Sequence, residues 1–194
     1  LRNRIESKFL NGAGLSAITA AGAEIGADRI TTGAGVDVVI GGLGTETIAA
    51  GEGDNIVLGD EGFVQYQSQA LTGGTLVLGE ISSVFVVNTG GFVQGGNETI
   101  TTGAGSDVVI GSLGDDRITA GDGNNIVLGD EGGIAFQTGA AGLRNQITSR
   151  YLNGAGLSPL DAAGAAVGAD TITTGTGHDV VIGGLGTETI AAGE

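Results

Sequence analysis

The sequence predicts an all-β fold, a parallel β-roll or β-solenoid made of short stacked coils, with β-strand connectors between the coiled blocks. Glycine accounts for 41 of the 194 residues, whereas proline occurs once and cysteine, methionine and tryptophan are absent. Apolar residues recur in very short runs at fixed spacing, and the chain repeats itself at two lengths. Glycine buries no side chain and loses much backbone freedom on folding, so only a regular, repetitive fold explains its abundance.

The long repeat is about 142 residues. Residues 1–52 recur as residues 143–194, a shift of 142 with 12 differences in 52 positions. Since the chain starts at Leu1 and stops inside a repeat at Glu194, we expect it to be an excerpt of a longer polypeptide. The predicted organisation is a connector (1–22), block A (23–62), a β-rich connector (63–92), block B (93–132), a connector (133–164) and block C (165–194).

The short repeat has nine residues and the pattern x-G-x-G-x-[D/E/N]-x-U-x, where U is a large aliphatic residue. Eleven copies follow this pattern in phase. The first six positions favour a turn and the last three a short strand, so two copies make one coil. Position eight is expected to point inward as a ladder: Ile30, Val39, Ile48, Val57, Ile100, Val109, Ile118, Val127, Ile172, Val181 and Ile190.

Position six carries an acid or its amide in every copy. Stacking alternate turns places Asp28 over Glu46, Asp37 over Asn55, Glu98 with Asp116 and Asp107 with Asn125. Stacked carboxylates repel one another, and Ca²⁺ relieves this because it takes 6–8 oxygen ligands from carboxylates and carbonyls. The alternative is that these residues simply favour turns. Glu52 and Asp122 could restore charge beside the two asparagines, and Asp60 and Asp130 could cap a site or be solvated.

The pattern resembles the RTX (repeats-in-toxin) nonapeptide G-G-x-G-x-D-x-U-x of giant secreted bacterial proteins. The chain departs from it where position six is Glu or Asn and where Thr or Ala replaces the first glycine. The resemblance implies calcium ions between turns i and i+2. The side-chain ligands would be Asp28, Asp37, Glu46, Asn55, Glu98, Asp107, Asp116, Asn125, Asp170, Asp179 and Glu188. The turn carbonyls would lie near Gly33, Gly35, Gly42, Gly44, Gly51, Gly53, Gly103, Gly105, Gly114, Gly121, Gly123, Gly175, Gly177, Gly184 and Gly186.

The two sheets of the roll should differ on their outer faces. Positions seven and nine are small or polar in odd copies, as in Arg29 and Thr31, but apolar in even copies, as in Val38 and Ile40. An apolar outer face is normally covered or forms an interaction surface. We therefore expect strands from connectors 1–10 and 63–93 to pack on it, giving a wider solenoid. A neighbouring chain is the alternative cover, a helix is the alternative for residues 1–10, and Pro159 is expected to open a short helix.

Composition and motifs limit the functional classes. Twenty-two acidic residues face seven basic ones, a net charge of −15, which argues against nucleic-acid binding and favours a cation partner. No apolar run of 18 residues predicts a membrane span. The chain lacks cysteine, HExxH and GxSxG, and His178 is its one histidine, at a variable turn position, so no enzyme is predicted.

A calcium-stabilised structural segment is the first functional hypothesis. It would belong to a large protein, secreted to the extracellular space or bacterial cell surface, which forms a rod, filament or matrix with copies of itself as partners. The alternatives are the stalk of a bacterial adhesin and the carrier region of a type I-secreted enzyme or toxin. The 142-residue periodicity favours the first, because carrier regions are usually one short array.

Overall fold

The computed structural model describes residues 4–6, 27–67, 77–83, 95–136, 144–149, 168–184 and 186–194. These residues form sixteen strands and no helix, so no helix of this part is long and apolar enough to cross a membrane. The strands are β1 Arg4–Glu6, β2 Arg29–Thr31, β3 Val38–Ile40, β4 Thr47–Ala49, β5 Ile56–Leu58, β6 Gly62–Gln67, β7 Val77–Ser83, β8 Thr99–Thr101, β9 Val108–Ile110, β10 Arg117–Ala120, β11 Ile126–Leu128, β12 Gly132–Phe136, β13 Arg144–Ser149, β14 Thr171–Thr174, β15 Val180–Ile182 and β16 Thr189–Ala191.

Two parallel sheets form the roll. The exposed sheet has the order β16-β14-β10-β8-β4-β2, and the covered sheet has the order β15-β11-β9-β5-β3. Each coil contributes one strand to each sheet, because every nonapeptide ends in a three-residue strand, centred on a large aliphatic residue, that follows a glycine-rich turn. The predicted all-β, parallel β-roll is therefore confirmed.

The roll runs without interruption through the three blocks. In the exposed sheet, Ile48 of block A pairs with Ile100 of block B, although a 30-residue connector separates the blocks in sequence. Ile118 of block B pairs in the same way with Ile172 of block C. The covered sheet continues through the β5–β9 and β11–β15 pairs. The connectors are thus excursions from one continuous roll, a feature that the sequence did not predict.

The aliphatic ladder at position eight forms the interior. Val57, Ile100, Val109 and Ile118 have no exposed surface, and they belong to one apolar cluster with the other buried members of the ladder. Val181 and Ile30 are partly buried against this cluster. Ile190, in the last described coil, is 47% exposed, because no further coil of the described chain lies against it. The predicted inward ladder is confirmed from Ile30 to Val181.

A third sheet covers the apolar outer face of the roll. It is antiparallel, with the order β1-β6-β7-β12-β13, and all of its strands come from the connectors and block ends. Val64, Ile81 and Ile134 are fully buried against the outward side chains of the covered sheet, such as Ile110 and Leu128. The prediction that connector strands cover this face is confirmed.

The form of the cover differs from the prediction. The connector strands build a separate antiparallel layer instead of widening the parallel coils, because strands joined by one connector pair with each other, as β6 does with β7. Residues 4–6 are strand, so the helical alternative for residues 1–10 is wrong there. The short helix expected after Pro159 lies outside the described residues.

Ser112 marks a strained turn in block B. Its φ of 89° falls in the left-handed region, where the equivalent Gly42 and Gly184 have φ values of 107° and 115°. A side chain there costs on the order of 1–3 kcal/mol, which glycine avoids. We expect Ser112→Gly to raise the free energy of unfolding by about 1 kcal/mol in calcium, measured by urea denaturation. Ser106→Gly is the control, because Ser106 lies at an exposed turn position without this strain, and the change should not stabilise the protein. Equal changes in the free energy of unfolding for the two variants would contradict the strain at Ser112.

Candidate metal-binding turns

The turns arrange the position-six side chains in two columns along the roll. The first column borders the exposed sheet, and the second borders the covered sheet. Backbone hydrogen bonds set the stacking, for example those that Thr47 N and Thr99 N donate to the carbonyls of Asp28 and Glu46, both at 2.8 Å. The first column contains Asp28, Glu46, Glu98, Asp116, Asp170 and Glu188. The second contains Asp37, Asn55, Asp107, Asn125 and Asp179.

The structure brings together each pair predicted within a block, and it adds contacts between blocks. Asp116 accepts a hydrogen bond from the backbone of Glu98 at 2.8 Å, as the predicted pairing requires. Asp170 of block C accepts one from the backbone of Asp116 at 2.9 Å, 54 residues away. Such contacts between blocks were missed, because the sequence pattern alone did not show that the blocks stack.

Four aspartates of the columns each use one carboxylate oxygen to accept a backbone N–H of the neighbouring coil: Asp107, Asp116, Asp170 and Asp179. In the second column, Asp107 Oδ1 accepts the backbone N–H of Asn55 at 2.8 Å, and Asp179 Oδ1 accepts that of Asn125 at 2.9 Å. The second oxygen of Asp107, Asp116 and Asp170 is buried, and no group in the described part of the chain donates a hydrogen bond to it. A row of buried, unsatisfied carboxylate oxygens is the ligand set that a hard cation requires.

The two asparagines behave differently from the aspartates. Asn55 Nδ2 donates hydrogen bonds to the carbonyl oxygens of Gly51 and Gly53, both at 2.8 Å. Asn125 Nδ2 donates to those of Gly121 and Gly123, at 2.8 and 3.4 Å. The amide therefore occupies carbonyls that the family resemblance assigned to an ion. In an Asn turn the side-chain amide hydrogen-bonds to the carbonyls of the same turn, so this turn needs a cation less than an Asp turn does.

The turns also carry acids outside the columns, among them Glu52 and Asp122. Glu52 and Asp122, at position three, are exposed, and they accept backbone N–H groups of Ala104 and Thr176 at 2.9 and 2.8 Å. The hydrogen bonds from Thr176 lower the pKa of Asp122 below its ordinary value. These acids hold the next coil in register. His178 is exposed, and its backbone N–H donates to Asn124 Oδ1 at 2.9 Å.

The acids of the GDEG segments that follow blocks A and B are buried. Asp60 and Asp130 are 3% and 4% exposed, and their neighbours Glu61 and Glu131 are both 5% exposed. The alternative that Asp60 and Asp130 are solvated is therefore wrong. Their place directly after β5 and β11 is the signal that could have found them, since a chain leaving a coil at that point passes along the stacked turns.

Burial raises the pKa of the clustered carboxyl groups. It raises the pKa of Glu46 to about 7, that of Glu131 to about 8 and that of Asp170 to about 6. Burial, followed by repulsion from neighbouring acids, also raises the pKa of Glu98 and Asp60. Groups in this state need a proton or a cation to stay inside the protein at neutral pH.

Comparison with known families identifies the repeats. Four copies of the RTX calcium-binding nonapeptide repeat match residues 23–57, 40–62, 93–132 and 166–194, which together are more than half of the chain. The chain belongs to the RTX calcium-binding nonapeptide repeat family. RTX nonapeptide repeats bind Ca²⁺, so calcium is the cation that these turns take. Searches of curated proteins and of solved structures found no match.

The residues present fit calcium. Bound Ca²⁺ would supply positive charge and would be coordinated by oxygens of the RTX turns. The chain supplies the free second oxygens of residues such as Asp37, Asp107 and Asp179, and turn carbonyls held open by glycine. We propose that the position-six acids are the ligands in both columns, and that the two asparagine turns bind more weakly or not at all.

We predict that Asn55→Asp adds one bound calcium ion per chain in saturating calcium. The change removes the amide that occupies the Gly51 and Gly53 carbonyls and puts a carboxylate beside them. Isothermal titration calorimetry with an atomic-absorption count of bound calcium measures the gain. Asn124→Asp, an exposed neighbour in the equivalent turn, adds the same charge and should add no ion. An unchanged count in Asn55→Asp would contradict the ligand role of position six.

Proposed function

We propose that this RTX segment is a calcium-stabilised structural repeat of a large secreted protein that forms an extracellular rod, filament or surface matrix. The observation that carries the proposal is the unbroken roll. Strands β4 and β8 of different blocks pair in the same register as strands within a block. A connector between two blocks therefore adds strands to the third, covering sheet without interrupting the roll.

The 142-residue periodicity gives the rod its length. Each long repeat contributes four coils, because β14 occupies in the next repeat the place that β2 occupies in the first. At a strand spacing of about 4.8 Å, four coils add roughly 19 Å. Successive repeats would thus build one continuous solenoid, in which each unit contacts only its neighbours.

The last described coil supports stacking of further units. Ile190 is the equivalent of Ile48, 142 residues later, and the two side chains are 47% and 1% exposed. Another coil seated on β16 would bury Ile190 as β8 buries Ile48.

Length measurement tests the rod. Proteins with one, two and four tandem copies of the 142-residue repeat are examined in calcium by small-angle X-ray scattering and electron microscopy. We expect the long dimension to grow by about 19 Å per repeat at constant width. Repeats that appear as separate beads of variable spacing would contradict one continuous roll. Electron microscopy of the native surface material, with and without a chelator, tests whether this rod forms an ordered extracellular layer.

A further inference from the structure

Three acids meet where the roll passes from block A to block B. Glu46 and Glu98 come from adjacent coils of the first column, and Asp60 comes from the GDEG segment that leaves β5. They are 0%, 1% and 3% exposed, respectively. One carboxylate oxygen from each lies within 4.8 Å of the other two. We call this group the junction cluster.

The side chains of the junction cluster have almost no hydrogen-bond donors. Among the described residues, neither oxygen of Glu46 nor of Glu98 has a hydrogen-bond partner, and Asp60 Oδ1 has none. Asp60 Oδ2 accepts one long bond of 3.4 Å from the backbone of Leu113. Two fully buried and unsatisfied carboxylates that point at a third acid are costly unless a positive charge lies among them.

Glycines let the backbone pack closely against these carboxylates. A Cβ at Gly96 would lie 2.7 Å from Glu98 Oε1 and would overlap the carbonyl oxygen of Gly44, and one at Gly95 would lie 2.6 Å from Asp60 Oδ2. The Gly95 position also borders the carbonyl oxygen of Leu113, 2.7 Å from the same Cβ position. The carbonyl oxygens of Gly44 and Leu113 therefore lie beside the cluster, where they could serve as further ligands of a bound ion.

We propose that Glu46, Asp60 and Glu98 together bind one calcium ion that joins block A to block B. The site rests on the proposed function, because it presumes a roll stabilised by calcium. It differs from the repeat sites in two respects. Asp60 lies outside the nonapeptide pattern, and the two glutamates come from different blocks, 52 residues apart in sequence. The ion would hold the roll together at the point where the chain leaves it to build the cover sheet.

The second junction has a different arrangement, which provides a comparison. There the corresponding acids are Asp116, Asp130 and Asp170, with shorter side chains. Asp116 and Asp170 each use Oδ1 to accept a backbone N–H, from Glu98 and Asp116 respectively, so those oxygens stay on the turns. At the first junction both column positions are glutamate. None of the four carboxylate oxygens of Glu46 and Glu98 accepts a hydrogen bond from a described residue. The dedicated site is therefore assigned to the first junction.

Calcium counting on the whole chain tests the site. We expect Asp60→Asn to lose one equivalent of bound calcium, measured by equilibrium dialysis with atomic absorption, while the other ions remain. Hydrogen exchange should speed up at Thr99, whose N–H bonds to Glu46 across the junction, but not at Ile126 within block B. Asp54→Asn is the control, since this exposed acid makes the same charge change away from the cluster and should lose no ion. An unchanged calcium count in Asp60→Asn would overturn the junction site.

Crystals of the unmodified chain grown in calcium give a second test that does not depend on folding of a variant. An anomalous peak about 2.3–2.6 Å from oxygens of Glu46, Asp60 and Glu98 is expected. Peaks in the repeat turns with none at the junction would overturn this site and leave the proposed function intact. A chain that binds no calcium in either experiment would overturn both.

Discussion

Removal of calcium is expected to unfold the roll at neutral pH. Nine acidic side chains are buried among the described residues: Glu46, Asp60, Glu61, Glu98, Asp107, Asp116, Asp130, Glu131 and Asp170. Arg29 and Arg117, the basic side chains described beside them, are exposed. A buried charge without compensation costs several kcal/mol, whereas a domain of this size has a total stability of only about 5–15 kcal/mol. The acids that share the columns therefore cannot stay ionised and buried together without a cation.

Circular dichroism measures this effect. In excess chelator at pH 7.5, the β signal should fall to that of an unfolded chain, and added calcium should restore it. Magnesium at equal concentration should restore little, because it demands near-ideal octahedral geometry and dehydrates reluctantly. In a Tyr151→Phe variant, Tyr66, which packs on the covered sheet, gives a local fluorescence probe of the same transition. A full β signal in chelator would show that calcium is not part of the fold.

The nine-residue pattern was sufficient to predict the roll. Position eight of each copy is apolar, so Ile118 and Val127 had to face inward from opposite sheets, and they do. The polar and apolar outer faces also followed from positions seven and nine. Thr99, at position seven of an odd copy, is exposed. Ile126, at position seven of an even copy, is buried under the third sheet, as the prediction requires.

The joining of blocks could not be predicted from the same pattern. The free edges of blocks A and B have the same side chains in the same phase, so the sequence does not specify which edge pairs with which. In the structure β4 pairs with β8, so neither strand is left as a free sheet edge. The inward aliphatic side chains of the two blocks then form one continuous ladder. Unpaired strand edges are a liability, and this principle alone favours the joined form over separate blocks.

The chemistry of the turns was predicted only in part. Asp and Asn have similar turn preferences, so the sequence did not separate Asp107 from Asn55. The difference comes from the two amide hydrogens of Asn55, which take the carbonyls of its own turn. Asp60 escaped prediction as a cluster member because it lies beyond the last nonapeptide of block A, and only the joining of the blocks brings it to Glu98.

The second large effect is expected at a glycine between stacked coils. Gly121 is at position two of its nonapeptide, and a Cβ there would overlap the carbonyl oxygen of Gly103 and lie 2.6 Å from its carbonyl carbon. The atoms in conflict are backbone, so no side chain can move aside. Relief requires the two coils to separate beyond the strand spacing of about 4.8 Å, which breaks the hydrogen bonds between them. We predict that Gly121→Ala lowers the free energy of unfolding by about 4 kcal/mol or more.

Gly33→Ala provides the matched control for this prediction. Gly33 occupies the same nonapeptide position in the first described turn of the covered sheet, and no atom of the described residues lies within 4 Å of the Cβ position there. Alanine at such a site restricts the unfolded chain, so its effect should be neutral or stabilising by less than about 1 kcal/mol. Urea denaturation in saturating calcium compares the two variants. Stacking of the turns predicts a large difference between them, because the same substitution meets a backbone in one coil and open space in the other. Equal stabilities would show that the coils are not packed at this spacing.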